Sequence, residues 1–157
     1  MLLSITDNQC IPRPVISQKT DATHWHTKLV SNFFNSYQSY KFVDAPGYDT
    51  FQHPVESYLN YFPFRDFDLI ILLIKDKVHA SDDKIFSRLI DIFGCSISQK
   101  LILVKSFSDS LSDNDKIVIR EEFDRRFQLS DKNIKFIFLS NRYKYGISDI
   151  KSSIFSL

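Results

Sequence analysis

The sequence predicts an α/β domain built on a mostly parallel sheet. Three observations carry that expectation. Three short runs have a continuous apolar centre: "DLIILLIK" (68–75), "QKLILVKS" (99–106) and "IKFIFLSN" (134–141). Strands that are apolar at consecutive positions suit a parallel sheet covered on both faces. Between these runs lie two capped stretches with helical spacing, and strand–helix alternation of this kind gives helices packed on a parallel sheet.

The elements follow in order. "CIPRPVISQKTDATHW" reads as irregular, because Pro12 and Pro14 remove backbone donors and push the residues before them to extended conformations. "TKLVSNFF" (27–34) and "YKFVDA" (40–45) are short β-favouring runs. "VESYLNYFPF" (55–64) places Val55, Leu59 and Phe62 at helical spacing and breaks near Pro63. "ASDDKIFSRLIDIFG" (80–94) has Ser81 as its expected N-cap, acids in its first turn, and Ile85, Leu89, Ile92 and Phe93 on one face, with Gly94 as the stop. "SDNDKIVIREEFDRRFQL" (112–129) is a second capped amphipathic helix, with Phe123 and Phe127 four apart. "GISDIKSSIFSL" begins a last helix. The expected division is an irregular segment over 1–26 and one domain over 27–157.

Composition narrows the function classes. Fifteen Phe and a hydrophobic fraction of 43% supply a core, and 20 basic against 19 acidic residues leave a net charge of +1. That balance argues against a nucleic-acid partner. Cys10 and Cys95 form no disulfide framework and read as reduced thiols. The opening lacks a basic leader, no Gly follows Met1, and "LIILLI" is too short to cross a bilayer, so the expected location is cytoplasmic.

In sheets of this kind, ligands bind where the strands end. The informative residues are therefore Asp44-Ala45-Pro46-Gly47, Lys75-Asp76, Lys105 to Asp109, and Ser140-Asn141-Arg142. Together they resemble the guanine-nucleotide-binding fold, a P-loop NTPase-like (Ras-like) three-layer sandwich. Asp44 and Gly47 match the Asp-x-x-Gly switch motif, although Pro-Gly also makes ordinary type II turns. The resemblance implies that Asp44 reaches Mg²⁺ through water and that the Gly47 N–H meets the γ-phosphate of GTP. Ser106-Phe107-Ser108-Asp109 stands where the family reads [Asn/Thr]-Lys-x-Asp, with Asp109 the implied acceptor from guanine N1 and N2. Phe107 replaces the Lys whose stem packs on the base. Either its ring covers the base instead, or it is a core ring and Asp109 merely flanks a helix. Ser140-Asn141-Arg142 matches a Ser-[Ala/Asn]-[Lys/Arg] loop that receives guanine O6 on backbone N–H groups, with Arg142 along the base.

The wider pattern is similar to the immunity-related (interferon-inducible) GTPase family, from about Tyr40 to the end. The stretch "DAPGYDTFQHPVESYLNYFPFRDFDLIILLIKD" has that family's order of switch turn, Pro-containing loop, Tyr-Leu helix and strand. "KFIFLSNRYKYGISDIKSSI" is similar to its closing stretch, with Ile147 in place of the usual aromatic. The resemblance implies GTP or GDP with Mg²⁺ as ligands, and self-association through the G domain or with a full-length relative. Family members act at membranes, but only through a partner or a further domain.

One family element is not found in the sequence. The phosphate loop Gly-x-x-x-x-Gly-Lys-[Ser/Thr] lies upstream of the switch Asp, yet only 43 residues precede Asp44 and none is Gly. The domain is thus expected to be incomplete at its N-terminus. Losing even four charge-assisted phosphate contacts would remove about 6–12 kcal/mol. Tight GTP binding and hydrolysis would then be weak or lost. The strand feeding that loop would normally lie beside "DLIILLIK", so an unpaired edge is expected there unless "MLLSIT" fills the gap or the switch strand pairs directly.

Other constellations read more blandly. Thr20 and Thr23 precede Asp44 at an interval suited to a switch Thr on Mg²⁺, Thr20 being the candidate ligand, but chance placement explains them equally. His24 and His26 share a face if extended and read as a surface pair rather than a metal seat. Arg120 to Arg126 is a mixed-charge helix face, with an arginine finger as the remote alternative. The expected function is therefore a GTP-binding G-domain fragment with weak or no hydrolysis. The alternative is a non-enzymatic interaction module derived from one.

Overall fold

The computed structural model describes residues 1, 5–7, 9, 34–45, 47–51 and 53–155, with the side chain of Phe34 excepted. They fall into two compact units, Met1–Asn60 and Tyr61–Leu157. The expected boundary at 26/27 lies outside the described residues, as do Thr20, Thr23, His24, His26 and most of the first β-favouring run.

In the first unit, β1 (Phe34–Tyr37) pairs antiparallel with β2 (Tyr40–Val43). The register Tyr37↔Tyr40 leaves Gln38 and Ser39 as a two-residue turn. Gln38 takes φ 54°, which fits the right-handed twist of a tight hairpin. Of the β-favouring run expected over 27–34, only Phe34 lies among the described residues, and it opens β1. After β2 the next element is α1 (Val55–Tyr61), whose Val55 and Tyr58 are buried. Tyr48 meets the Tyr58 ring edge-on at 5.9 Å.

The second unit carries the alternation. Its order is β3 (Ile70–Ile74), α2 (Ala80–Phe93), a short α3 (Ile97–Lys100), β4 (Leu101–Lys105), α4 (Asp113–Phe127), β5 (Lys135–Phe138) and α5 (Ile147–Phe155). The three strands form a parallel sheet in the order β3-β4-β5, in register Ile70↔Leu101 and Leu103↔Phe136. The mixed α/β class and the parallel sheet are as the sequence predicts. The hairpin is a separate antiparallel sheet, so the direct pairing considered for the switch strand is not seen.

Register and packing sort the two faces of this sheet. Leu72, Leu103 and Phe136 share one face, and there Phe136 meets Phe123 of α4 at 4.8 Å between ring centroids. Phe127 of α4 in turn meets Phe86 of α2 at 4.5 Å, so both crossover helices lie on this face. A fork from Arg126 to Asp83, with Nε–Oδ1 at 2.8 Å, joins the same helices. On the opposite face Lys135 donates to Ser153 of α5 at 2.6 Å. That helix covers β5 and β4, where Ile102, Val104 and Ile137 are buried. It leaves β3 thinly covered: Leu73 is 38% exposed. The run "DLIILLIK" is therefore buried on one face only. An edge strand needs apolar residues on its packed face, and the sequence cannot tell whether a second layer arrives.

Helix ends also follow local chemistry. His79, not Ser81, caps α2, and the Asp82 carboxylate accepts from the His79 N–H at 2.7 Å. Ser81 lies inside the first turn and is buried. Gly94 ends α2 at φ 51°. Ser112 caps α4 as predicted: its Oγ accepts from the Asp115 N–H at 3.2 Å, while the Asp115 carboxylate accepts from the Ser112 N–H at 2.9 Å.

Candidate functional site

The carboxyl ends of β4 and β5 are tied together through a short irregular stretch. Past β4 the ladder continues for one residue, the Ser106 N–H donating to Ile74 O at 3.0 Å. Two residues later the Ser108 N–H donates to Leu139 O at 3.2 Å, on the side of β5. Between these anchors the chain has to cross from one neighbour to the other, and Phe107 takes φ 53°. A left-handed conformation at an aromatic residue costs of order 1–3 kcal/mol and persists only when its surroundings impose it. Ser106 and Ser108 are buried, whereas Phe107 is 65% exposed. The alternative of Phe107 as a core ring is thereby excluded.

Asp109 follows, half-buried, and its Oδ1 accepts a short hydrogen bond from the Ser140 hydroxyl at the end of β5. Ser140 is fully buried, and its Oγ also accepts from the Tyr143 N–H at 2.9 Å. One hydroxyl thus fixes the carboxylate and the loop after β5 together. The Asp109 Oδ2 accepts no hydrogen bond among the described residues. Tyr145 closes the arrangement, its hydroxyl donating to Ser108 O and its backbone O accepting from the Ser140 N–H. Asn141 and Arg142 are exposed. The Arg142 guanidinium lies 5.4 Å over the Tyr143 ring, and no contact joins it to Asp109 or Phe107.

Two residues that the sequence reading named only as strand ends, without a role, take part. Lys105 ends an otherwise apolar strand, and it is 8% exposed. Its Nζ donates to Lys75 O and, at 3.1 Å, to Ser106 O, stitching the ends of β3 and β4. Burial pushes its pKa down, against the opposing pull of Asp76. The signal was its parity: residues 101, 103 and 105 share the face whose other members are core residues. The second participant is Lys75, whose ammonium sits 5.0 Å over the Phe107 ring.

Asp44 and Gly47 belong to the first unit. Burial raises the Asp44 carboxyl above its ordinary pKa, with the Met1 α-amino group pulling the other way. Although most of the residue's surface is exposed, its carboxyl faces the protein closely enough to lose water. The Tyr58 phenol, buried and facing the Asp44 charge, is pushed well above its usual value. A Cβ on Gly47 would meet nothing within 4 Å, so neither crowding nor a positive φ demands glycine there. The predicted residues therefore divide. Asp109 and Ser140 are hydrogen-bonded, Ser106 turns its N–H and hydroxyl to Ile74 O on the side of β3, Asn141 and Arg142 adjoin Ser140 in sequence, Asp44 and Gly47 lie in the other unit, and Thr20 is outside the described residues.

Chemically, the strand ends offer a planar aromatic face, an oriented carboxylate oxygen and exposed cations. Among the described residues no three His, Cys, Asp or Glu converge as metal ligands, and no helix is long and apolar enough to cross a membrane. Compared with protein-family models, with curated proteins and with solved structures, the chain matches none of them.

Proposed function

We propose that this chain is a guanine-nucleotide-binding domain of P-loop NTPase-like (Ras-like) architecture and of the immunity-related GTPase type, with weak or no GTP hydrolysis. The observation that carries this reading is the hydrogen bond from Ser140 to Asp109. It orients a carboxylate at the end of one parallel strand from the loop that ends the next, where a sheet of this class takes its ligands. The free Oδ2 then suits a base edge that presents adjacent N–H donors, as guanine N1 and N2 do.

In this reading Asp109 accepts from guanine, Ser140 holds Asp109 in place, Ser106 and Ser108 anchor the loop, and Phe107 lies against the base. Asn141 and Arg142 line the side from which O6 is met. Asp44 and Gly47 belong to the first unit and are given no part in this strand-end site. The residues at the strand ends fit the base. For Mg²⁺ the described residues supply Asp44 alone, with its carboxyl held above its ordinary pKa, so no chemical step is assigned to the metal. The interaction-module reading is favoured by one feature, the apolar Ile117 and Val118, which are 57% and 62% exposed on α4.

Competition against a bound fluorescent guanine nucleotide distinguishes the two. A guanine-binding domain releases the probe to unlabelled GTP and not to ATP, and the Asp109→Asn chain loses that preference. An interaction module binds neither nucleotide.

A further inference from the structure

We infer that affinity at this site resides in the base and not in the phosphates, so that the chain binds guanosine about as well as GTP. The inference rests on the guanine reading above and specifies its ligand. Three observations at the strand ends lead to it.

The first is Phe107. Its ring is 65% exposed, and a left-handed backbone between two buried serines holds it outward. The Lys75 ammonium lies over the ring at 5.0 Å, steadying it by a cation–π contact on one face and leaving the other to solvent. An exposed, positioned aromatic ring is a stacking platform for a planar heterocycle. The second is half-buried Asp109, two residues on from Phe107, with one oxygen taken by Ser140 and the other accepting no hydrogen bond among the described residues. Stacking and edge pairing together use only the base.

The third observation concerns what a phosphate would need. Close backbone approach to a phosphate depends on glycine-rich turns whose N–H groups converge. The chain has three glycines. Gly94 ends α2, and the space for a Cβ on Gly146 is occupied by Phe138 O at 2.1 Å. Gly47 stands in the first unit. The loops after β3 and β4 (75–79 and 106–112) contain none. Their exposed cations Lys75 and Lys77 flank Asp76, and Asp109 adds a second carboxylate, so the two loops' lysines and acids balance and do not favour a polyanion over a neutral nucleoside.

The test is a titration of the full chain with guanosine, GMP and GTP, followed by backbone NMR shifts, in the parent and in Phe107→Ala. The expected result is dissociation constants within about threefold of one another. Phe107→Ala weakens all three by about tenfold or more, the measure of lost base stacking. Phe51→Ala, at a fully exposed ring in the first unit, leaves them unchanged. Because Phe107 is exposed, its variant keeps the parent's melting temperature, which is checked alongside. GTP binding a hundredfold tighter than guanosine, or Phe107→Ala without effect, overturns the inference and leaves the guanine reading standing. If neither ligand binds, both are overturned.

Discussion

Lys105 is a buried cation at the end of an apolar strand. An ammonium at 8% exposure gives up water, and its two carbonyl partners replace only part of that loss, so its pKa falls. The sign of the linkage follows. Between the lowered folded pKa and the ordinary lysine value of about 10.4, the unfolded chain binds the extra proton, so stability rises with pH through that window. Lys105→Met removes this titration. The free-energy difference between parent and variant, from urea unfolding, should therefore shift in the parent's favour from pH 7 to pH 10. A difference that is flat with pH would show that the ammonium titrates normally. At this scale the sequence was legible where chemistry is local. Asp109 and Ser140 could be picked out by their distance past apolar runs. Lys105 was named only as a strand end and Tyr145 not at all, because their roles depend on which carbonyl lies across the strand gap, and spacing along the chain does not encode that.

At the scale of elements, each of the three buried strand runs was legible to within three residues, because a continuous apolar run leaves little choice in a layered domain. The cap of α4 was legible as well, since Ser112 and Asp115 act over three residues. The cap of α2 was misplaced by two, because His79 precedes a turn in which both Ser81 and Asp82 look suitable, and tertiary burial took Ser81 inward. The one-sided burial of β3 was not legible at all, since coverage of its second face depends on a layer contributed from elsewhere. The junction between β5 and α5 gives the sharpest test here. Gly146 has φ 77°, and its missing Cβ would lie 2.1 Å from Phe138 O. Gly146→Ala therefore combines left-handed strain with a backbone clash and should destabilise by about 3 kcal/mol or more. Because Tyr145 and Ser140 lie in the same loop, the variant should also weaken ligand binding. A melt unchanged from the parent's would contradict the packing described.

For the whole molecule, the two units carry different parts of the switch-like sequence. The base-side residues sit at the ends of one parallel sheet, and the Asp-x-Pro-Gly turn follows a separate hairpin. The mixed α/β class was legible from alternation alone, whereas the hairpin was not, because two β-favouring runs separated by a short turn pair with each other as readily as they join a larger sheet. In the proposed reading, what binds at the strand ends depends on the base more than on the phosphates. The most direct test is titration of a fluorescent GTP analogue into the full chain with Mg²⁺ present. The proposed base-centred site predicts half-saturation above about 10 μM, with displacement by guanosine as well as by GTP. Saturation below about 10 μM that guanosine cannot reverse would contradict it.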